Sequence, residues 1–320
     1  MRLQHPFIRL PFTFDHQRLS EEASQFSQNQ WMPHPTGLKG NSAIALISSG
    51  GGNNNSFEGE KKATAQLDQS PYIQQVLGSF GEVLSRSRLM KLDARSEVTL
   101  HVDFNYHWFS RVRIHIPVIT NPKIIFHCAE QQLHMQAGEC WIFDSWRRHN
   151  VVNPSNQDRV HLVIDTCGSS RFWNMVEAVA DLPVSKIEAQ AQYLPFRPNK
   201  KPVLRTEKFA SSPVMPPGEC QALIEDLIKD FKANENNDQT LVSLYVKLLN
   251  NFARDWRELW LLHGHRPEAI LHYRNLIEHT RKQLHPNIRA LTTASNDIGV
   301  NPIFVQRVLN AALVPEASLL

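Results

Sequence analysis

No apolar run in this chain approaches the ~18 residues that a membrane-crossing helix needs, so the expected protein has no membrane partner. The 4 cysteines, Cys128, Cys140, Cys167 and Cys220, include no CxxC pair. That excludes the zinc and dithiol motifs built on such spacing. Charge of one sign is missing too: 34 Lys and Arg against 31 Asp and Glu leave +3, with the basic residues scattered rather than gathered in a stripe. A nucleic-acid partner is therefore not expected. Met1 to Pro6 lack the charged-then-apolar layout of a signal peptide, and with the cysteine pattern this gives the expectation of a reduced, cytoplasmic protein. What is present is an ordinary globular composition, 42% hydrophobic and 20% charged over 320 residues, with room for two domains.

The chain divides by pattern. Phe7 to Phe14 reads as a strand, and Asp15 as the N-cap of a short helix to about Phe26. Gly50 to Asn55 (GGGNNN) forms a surface loop that is either a lid or a plain insertion. Pro71 suits the first turn of a helix that should run to Leu84. Short runs rich in Val, Ile, Leu and Phe then recur between turn signals: 88–92, 97–103, 111–118, 123–128, 132–136, 140–143 and 159–165. Strands at that spacing predict a sandwich or barrel. Beyond Pro183 the pattern turns helical, apart from a proline-punctuated stretch, 194–202, that cannot be helix. Apolar residues at three- and four-residue intervals from Leu241 to Trp260 predict a small helical bundle. Its histidines, among them His263, His265, His272, His279 and His285, have no ligand-like spacing and are expected in solvent. The predicted boundaries are residues 1–185 for the β domain, with its core at about 70–168, then a linker over 186–215 and a helical domain over 216–320.

Alternation within the strands is more specific. From Arg111 to Ile116 odd positions are polar and even ones aliphatic, and Arg159 to Asp165 begins and ends the same way. One face of each strand is dry. The other faces water or lines a cavity, and its His, Arg and Asp content favours the cavity.

His101 and Asp103 stand at i and i+2, hence on one face of a strand. His149 on a later strand would complete a two-histidine, one-carboxylate triad, a set suited to Fe(II) with coordination positions left open. An iron site of this kind needs an electron donor to activate O2, and 2-oxoglutarate is one whose distal carboxylate calls for a cation. Arg159, ten residues after His149, has the planar fork for a carboxylate. Arg88, Lys91 and Arg95 could also meet a carboxylate, though each alone reads as surface. Trp108 and Trp146 either wall a pocket or pack in a core.

Taken together, Arg113-Ile114-His115, His127, the run Gly138 to Asp144, His149, Asn153 and Arg159 to Asp165 resemble the aspartyl/asparaginyl beta-hydroxylase family. The HxDF at His101 and the motif from His134 to Asp144 look most like its bacterial proline hydroxylases. The resemblance implies a fold that is mainly β with α: a double-stranded beta-helix, jelly-roll or cupin-like, with flanking helices plus a C-terminal helical region. It implies His101, Asp103 and His149 as iron ligands and Arg159 as the anchor of 2-oxoglutarate. Arg113 and His115 match cavity residues that meet co-substrate or substrate, and His127 matches a further position, cavity or structural. Gly138 and Glu139 read as a tight turn.

The implied activity is Fe(II)- and 2-oxoglutarate-dependent hydroxylation, with O2 consumed, of an amino acid, an amino-acid derivative or a peptidyl Asp/Asn-like residue. The substrate, small molecule or peptide, is expected to carry a carboxylate. A non-catalytic beta-helix that binds a small acid or peptide is the alternative. The helical region could pair two copies into a homodimer.

Overall fold

In a computed structural model the chain is described over residues 1–35, 37–209 and 212–314. It forms two compact units: residues 1–103 with 110–210, and residues 104–109 with 211–320.

The first unit opens with β1 (Phe7–Phe14), whose successor Asp15 caps helix α1 (His16–Ser24) by accepting from the Arg18 amide. Next come β2 (Met32–Pro33), β3 (Asn41–Ser49), β4 (Lys61–Ala63), α2 (Ala65–Asp68) and α3 (Pro71–Ser79). Helix α3 ends earlier than expected, because Gly81 takes φ +63 and the chain turns into a strand. Eight strands follow: β5 (Val83–Leu92), β6 (Ser96–His101), β7 (Val112–Ile119), β8 (Ile125–Cys128), β9 (Gln131–Leu133), β10 (Glu139–Phe143), β11 (His149–Asn153) and β12 (Arg159–Thr166). Short helix α4 (Tyr106–Ser110) interrupts them, and α5 (Ser170–Ala180) and α6 (Val184–Ala189) come after.

Pairing alternates between two sheets as the chain advances. One sheet contains the order β10-β7-β12-β5 and extends outward to β1 and β3; the other is β6-β11-β8-β9. Two antiparallel sheets that take successive strands in turn form a jelly roll, the double-stranded beta-helix. The fold expectation holds.

The alternation noted in the sequence now has a direction. Val112, Ile114, Ile116 and Val118 of β7 join Leu162 and Ile164 of β12 in one large core with Leu19, Ile73, Val76, Leu77 and Phe172 of the helices. The helices thus cover the outer face of the larger sheet. Arg113 and His115 fall on the opposite face, with Asp165 and His161 beside them. A smaller apolar cluster of Phe7, Phe126, Trp141, Phe143 and Val151 lies there too. The polar faces of β7 and β12 are buried, not solvated: His115, Arg159, His161 and Asp165 are all under a tenth exposed.

The stretch expected as a linker is part of this unit. Strand β13 (Gln192–Leu194) pairs with β1 and β14 (Arg205–Thr206) with β5, both parallel. The prolines do keep this stretch out of helix; its backbone is used by the sheet edges instead, so the unit extends to residue 210 rather than 185.

The second unit is helical, with α7 (Pro217–Lys232), α8 (Gln239–His263), α9 (Ile270–Lys282) and α10 (Val300–Phe304). Asp238 caps α8 by accepting from the Leu241 amide, and Leu249, Phe252, Trp256, Tyr273 and Phe304 are buried in the unit. The unit also takes Phe104 to Phe109, which the sequence had placed with the β domain. Among the described residues no helix is long and apolar enough to cross a membrane.

Candidate metal centre

His149 on β11 lies directly opposite His101 on β6, with ring centroids 4.2 Å apart. Asp103 follows two residues later, where its amide donates to the Ser145 carbonyl and fixes the backbone after the strand. One donor atom from each of the three side chains lies within 4.8 Å of the others, and His149 Nε2 is 3.9 Å from the Asp103 carboxylate. Among the described residues no other His, Cys, Asp and Glu group gathers this way.

The hydrogen bonds assign the tautomers. His101 Nδ1 meets the Thr99 carbonyl at 2.7 Å and His149 Nδ1 the Arg147 carbonyl at 2.8 Å. A carbonyl only accepts, so each Nδ1 carries the proton and each Nε2 keeps its lone pair. Such backbone anchoring is what orients an imidazole toward a metal. Burial lowers the pKa of His149 against the opposing charge of Asp103 and keeps it neutral. The donor set fits a divalent transition metal.

Deeper between the sheets Arg159 is 5% exposed. Its Nη2 meets His161 Nδ1 at 2.7 Å, and the guanidinium lies 5.0 Å from the Phe126 ring centre. Its Nε has no partner, and burial works against its charge with no carboxylate to offset it. His115 stands between Arg159 and the histidine pair in the ring contacts: 5.8 Å from His161 and 5.1 Å from Phe143, which is itself 4.8 Å from His149. Both ring nitrogens of His115 are unpartnered, and burial, then Arg113 and Arg159, push its pKa well below the ordinary value.

Arg113 is held differently. Its Nε and Nη2 donate to Asp165 at 2.6 and 2.9 Å, so the fork matched to a substrate or co-substrate role closes on a neighbouring strand. Burial opposes the charge of Arg113, but Asp165 outweighs it and its pKa is raised. His127 is not brought into the cluster. Phe126 on the same strand faces His115 and His161, and neighbouring strand residues point to opposite faces.

Several residues here escaped the sequence reading. Ser85 and Arg86 stand together opposite the single Asp165, a bulge in β5 that brings Arg86 to 3.7 Å from Asp165. Arg88, one of three residues that could meet a carboxylate but that alone read as surface, is 6% exposed and aligned with Val163 and His115. His34, near the β2–β3 turn, is half-buried, and after burial itself the charges that depress its pKa are Arg88, His101, Arg113 and Arg86. Nothing in the sequence marks it. The Gly50 to Asn55 loop reaches this group as well, since Arg86 donates to the Asn55 carbonyl at 3.2 Å and stacks 3.5 Å from the Phe57 ring. Trp146 is buried with Arg2 over its ring, and Trp108 packs edge-on to His107 in the segment that belongs to the helical unit. Gly138 takes φ +81 where a Cβ would meet the Phe14 carbonyl, which confirms the tight turn.

Residues 14–168 match the family model of aspartyl/asparaginyl beta-hydroxylase. The match covers β2 to β12 and all three members of the His–Asp–His cluster. No curated protein matches the chain. Solved structures similar to it include an oxidoreductase of the 2OG-Fe(II) oxygenase family from Burkholderia pseudomallei, 15% identical, covering 51% of this chain and 85% of its own with a TM-score of 0.38. Another is a prolyl hydroxylase from Trichoplax adhaerens in complex with a hypoxia inducible factor peptide fragment, 10% identical over 51% of this chain and 84% of its own, TM-score 0.37. The family-model match bears out the resemblance read from the sequence over residues 14–168, while the narrower likeness to bacterial proline hydroxylases is not shown.

Proposed function

We propose that the chain is an Fe(II)- and 2-oxoglutarate-dependent dioxygenase that hydroxylates an unactivated C–H of an amino acid, an amino-acid derivative or a peptidyl Asp/Asn-like residue. The observation that carries this reading is the pairing of two features inside one jelly roll: Nε2-directed histidines with Asp103, and a buried Arg159 that has no carboxylate. In this reading His101, Asp103 and His149 hold Fe(II), and Arg159 receives the distal carboxylate of 2-oxoglutarate.

Bound iron and 2-oxoglutarate would supply the oxidising chemistry, in which O2 gives one oxygen atom to the substrate and the other to the succinate formed as CO2 leaves. The residues of this chain position and enclose. The Thr99 and Arg147 carbonyls hold the two imidazoles in the ligating tautomer. His161, accepting at Nδ1, turns the Arg159 fork toward the interior. Phe126 and Phe143 keep water from the space between, where charge interactions gain strength. His115, neutral and unpartnered, has a ring nitrogen to offer to bound co-substrate.

Anaerobic addition of Fe(II) and 2-oxoglutarate to the purified protein is expected to produce a visible metal-to-ligand absorption band, and air with substrate to yield succinate. His101→Ala should abolish the band. Arg159→Ala should weaken 2-oxoglutarate binding by about 2–5 kcal/mol, the loss typical when one partner of a buried charge pair is removed. A band that survives the first change, or an unchanged 2-oxoglutarate requirement after the second, would remove these assignments.

A further inference from the structure

The buried guanidiniums of the first unit fall into two groups. Arg113 and Arg86 share Asp165, Arg111 pairs with Glu207 at 2.8 Å, and Arg9 lies 3.7 Å from Glu139. Arg159 and Arg88 have no carboxylate among the described residues. Arg159 at least meets His161, whereas Arg88 makes no hydrogen bond and its Nη2 is buried without a partner. Burial and then Arg113 lower its pKa, with only partial relief from Asp165. An uncompensated buried charge costs several kcal/mol. A fold that retains two such cations is built around two anions.

The two positions are distinct. Arg88 is level with Val163, four residues along β12 from Arg159, a separation of about 13 Å at the usual strand rise. Its neighbour across β3 is Ala45, too small to cover the guanidinium. Arg88 lies in register with Val163 and His115, so its side chain shares the interior face with His115. We propose that Arg88 is the receptor for a carboxylate of the substrate, on the same interior face as the 2-oxoglutarate anchor Arg159 and separated from it along the strands. The proposal rests on the dioxygenase reading above. Arg113, matched by resemblance to a carboxylate-binding role, instead braces the site through Asp165.

Two sources of that carboxylate are open to one experiment: the α-carboxylate of a free amino acid, and the acidic side chain of a peptide. The full-length protein loaded with Zn(II) and saturating 2-oxoglutarate would be titrated with sodium acetate, and with acetamide at matched ionic strength, by calorimetry and thermal shift. Acetate is expected to bind and acetamide not. Arg88→Gln should raise the acetate Kd at least tenfold while the 2-oxoglutarate Kd changes less than threefold. Arg88→Lys, which keeps the charge without the fork, should fall between and serves if the glutamine variant does not fold. Displacement of acetate by the pool of free L-amino acids, or by N-acetyl-aspartyl amide, then separates the two sources. The proposal is overturned if acetate does not bind beside 2-oxoglutarate, binds the Arg88 variants as tightly as the parent, or if those variants lose 2-oxoglutarate instead. Failure of 2-oxoglutarate to bind at all would sink the dioxygenase reading, while acetate binding at Arg88 could still be measured without it.

Discussion

His115 and His161 are 6% and 1% exposed, and burial holds the pKa of each well below 6.5. Both are neutral in the folded protein at pH 7. As pH falls below 6.5 the unfolded chain takes up protons that these two folded imidazoles refuse. Stability must therefore decline toward acid, by up to about 1.4 kcal/mol per pH unit for each ring, and the contribution is complete above 6.5. The Arg159 contact reinforces this, since protonating His161 at Nδ1 would remove the acceptor that Arg159 uses. Urea unfolding of the parent and of His161→Leu between about pH 7.5 and 5.5 checks the argument; equal slopes for the two proteins would refute it. The same residues mark a limit of sequence reading. The triad and Arg159 were legible because their residue types and order match a chemistry, whereas Arg88 and His34 acquire meaning only from what surrounds them.

Within elements, periodicity gave the faces of β7 and β12 correctly because they pair in regular register from His161–Thr166 to Val112–Pro117. It failed in β5. Alternation counted back from Leu89 would turn Arg86 and Arg88 to the same side, but Leu84 would then share the side of neither Leu89 nor the large core it joins. The bulge of Ser85 and Arg86 opposite Asp165 resolves the conflict, placing Leu84 and Leu89 in the outer core and both arginines inside. Bulges re-aim side chains in this way beside functional sites. The turn from β11 to β12 carries a second device. Asn153 is 1% exposed, donates to the carbonyls of Leu92, Asp93 and Gln157, and accepts from the Ser155 amide and hydroxyl. One side chain thus ties the β11–β12 turn to the end of β5. Asn153→Ala strands several buried groups and should cost about 2 kcal/mol. A denaturation midpoint equal to the parent's would mean that water replaces those bonds freely.

On the scale of the whole molecule, the helical unit includes six residues that begin directly after Asp103. Within that unit Arg307 is 2% exposed, donates to the Phe104 carbonyl at 3.3 Å, lies 5.1 Å from the Phe109 ring centre and pairs with Asp226 at 2.9 Å. The Tyr106 hydroxyl donates to Glu219. The chain leaving the HxD motif is therefore gripped by the helices, and freedom at Phe104 is freedom at the residue next to Asp103 of the candidate metal centre. Arg307→Ala should loosen this segment, raising proteolysis over 104–110 and weakening metal binding about tenfold with every ligand still present. Unchanged metal affinity alongside increased proteolysis would show that Asp103 is held from its own side alone, through Ser145.

The sequence by itself determined the strand-rich class, the helical C-terminal region, the candidate His101–Asp103–His149 triad and Arg159. Each is a local pattern or a set of residue types whose chemistry is the same wherever the chain places them. Tertiary structure decided the rest: that the polar strand faces are interior, that Arg113 is taken up by Asp165 while Arg88 is left without an anion, and that residues 104–109 belong with the helices. Those outcomes depend on which side chains distant in sequence share a buried space, and on the balance there between desolvation and charge pairing. No spacing along the chain encodes that balance.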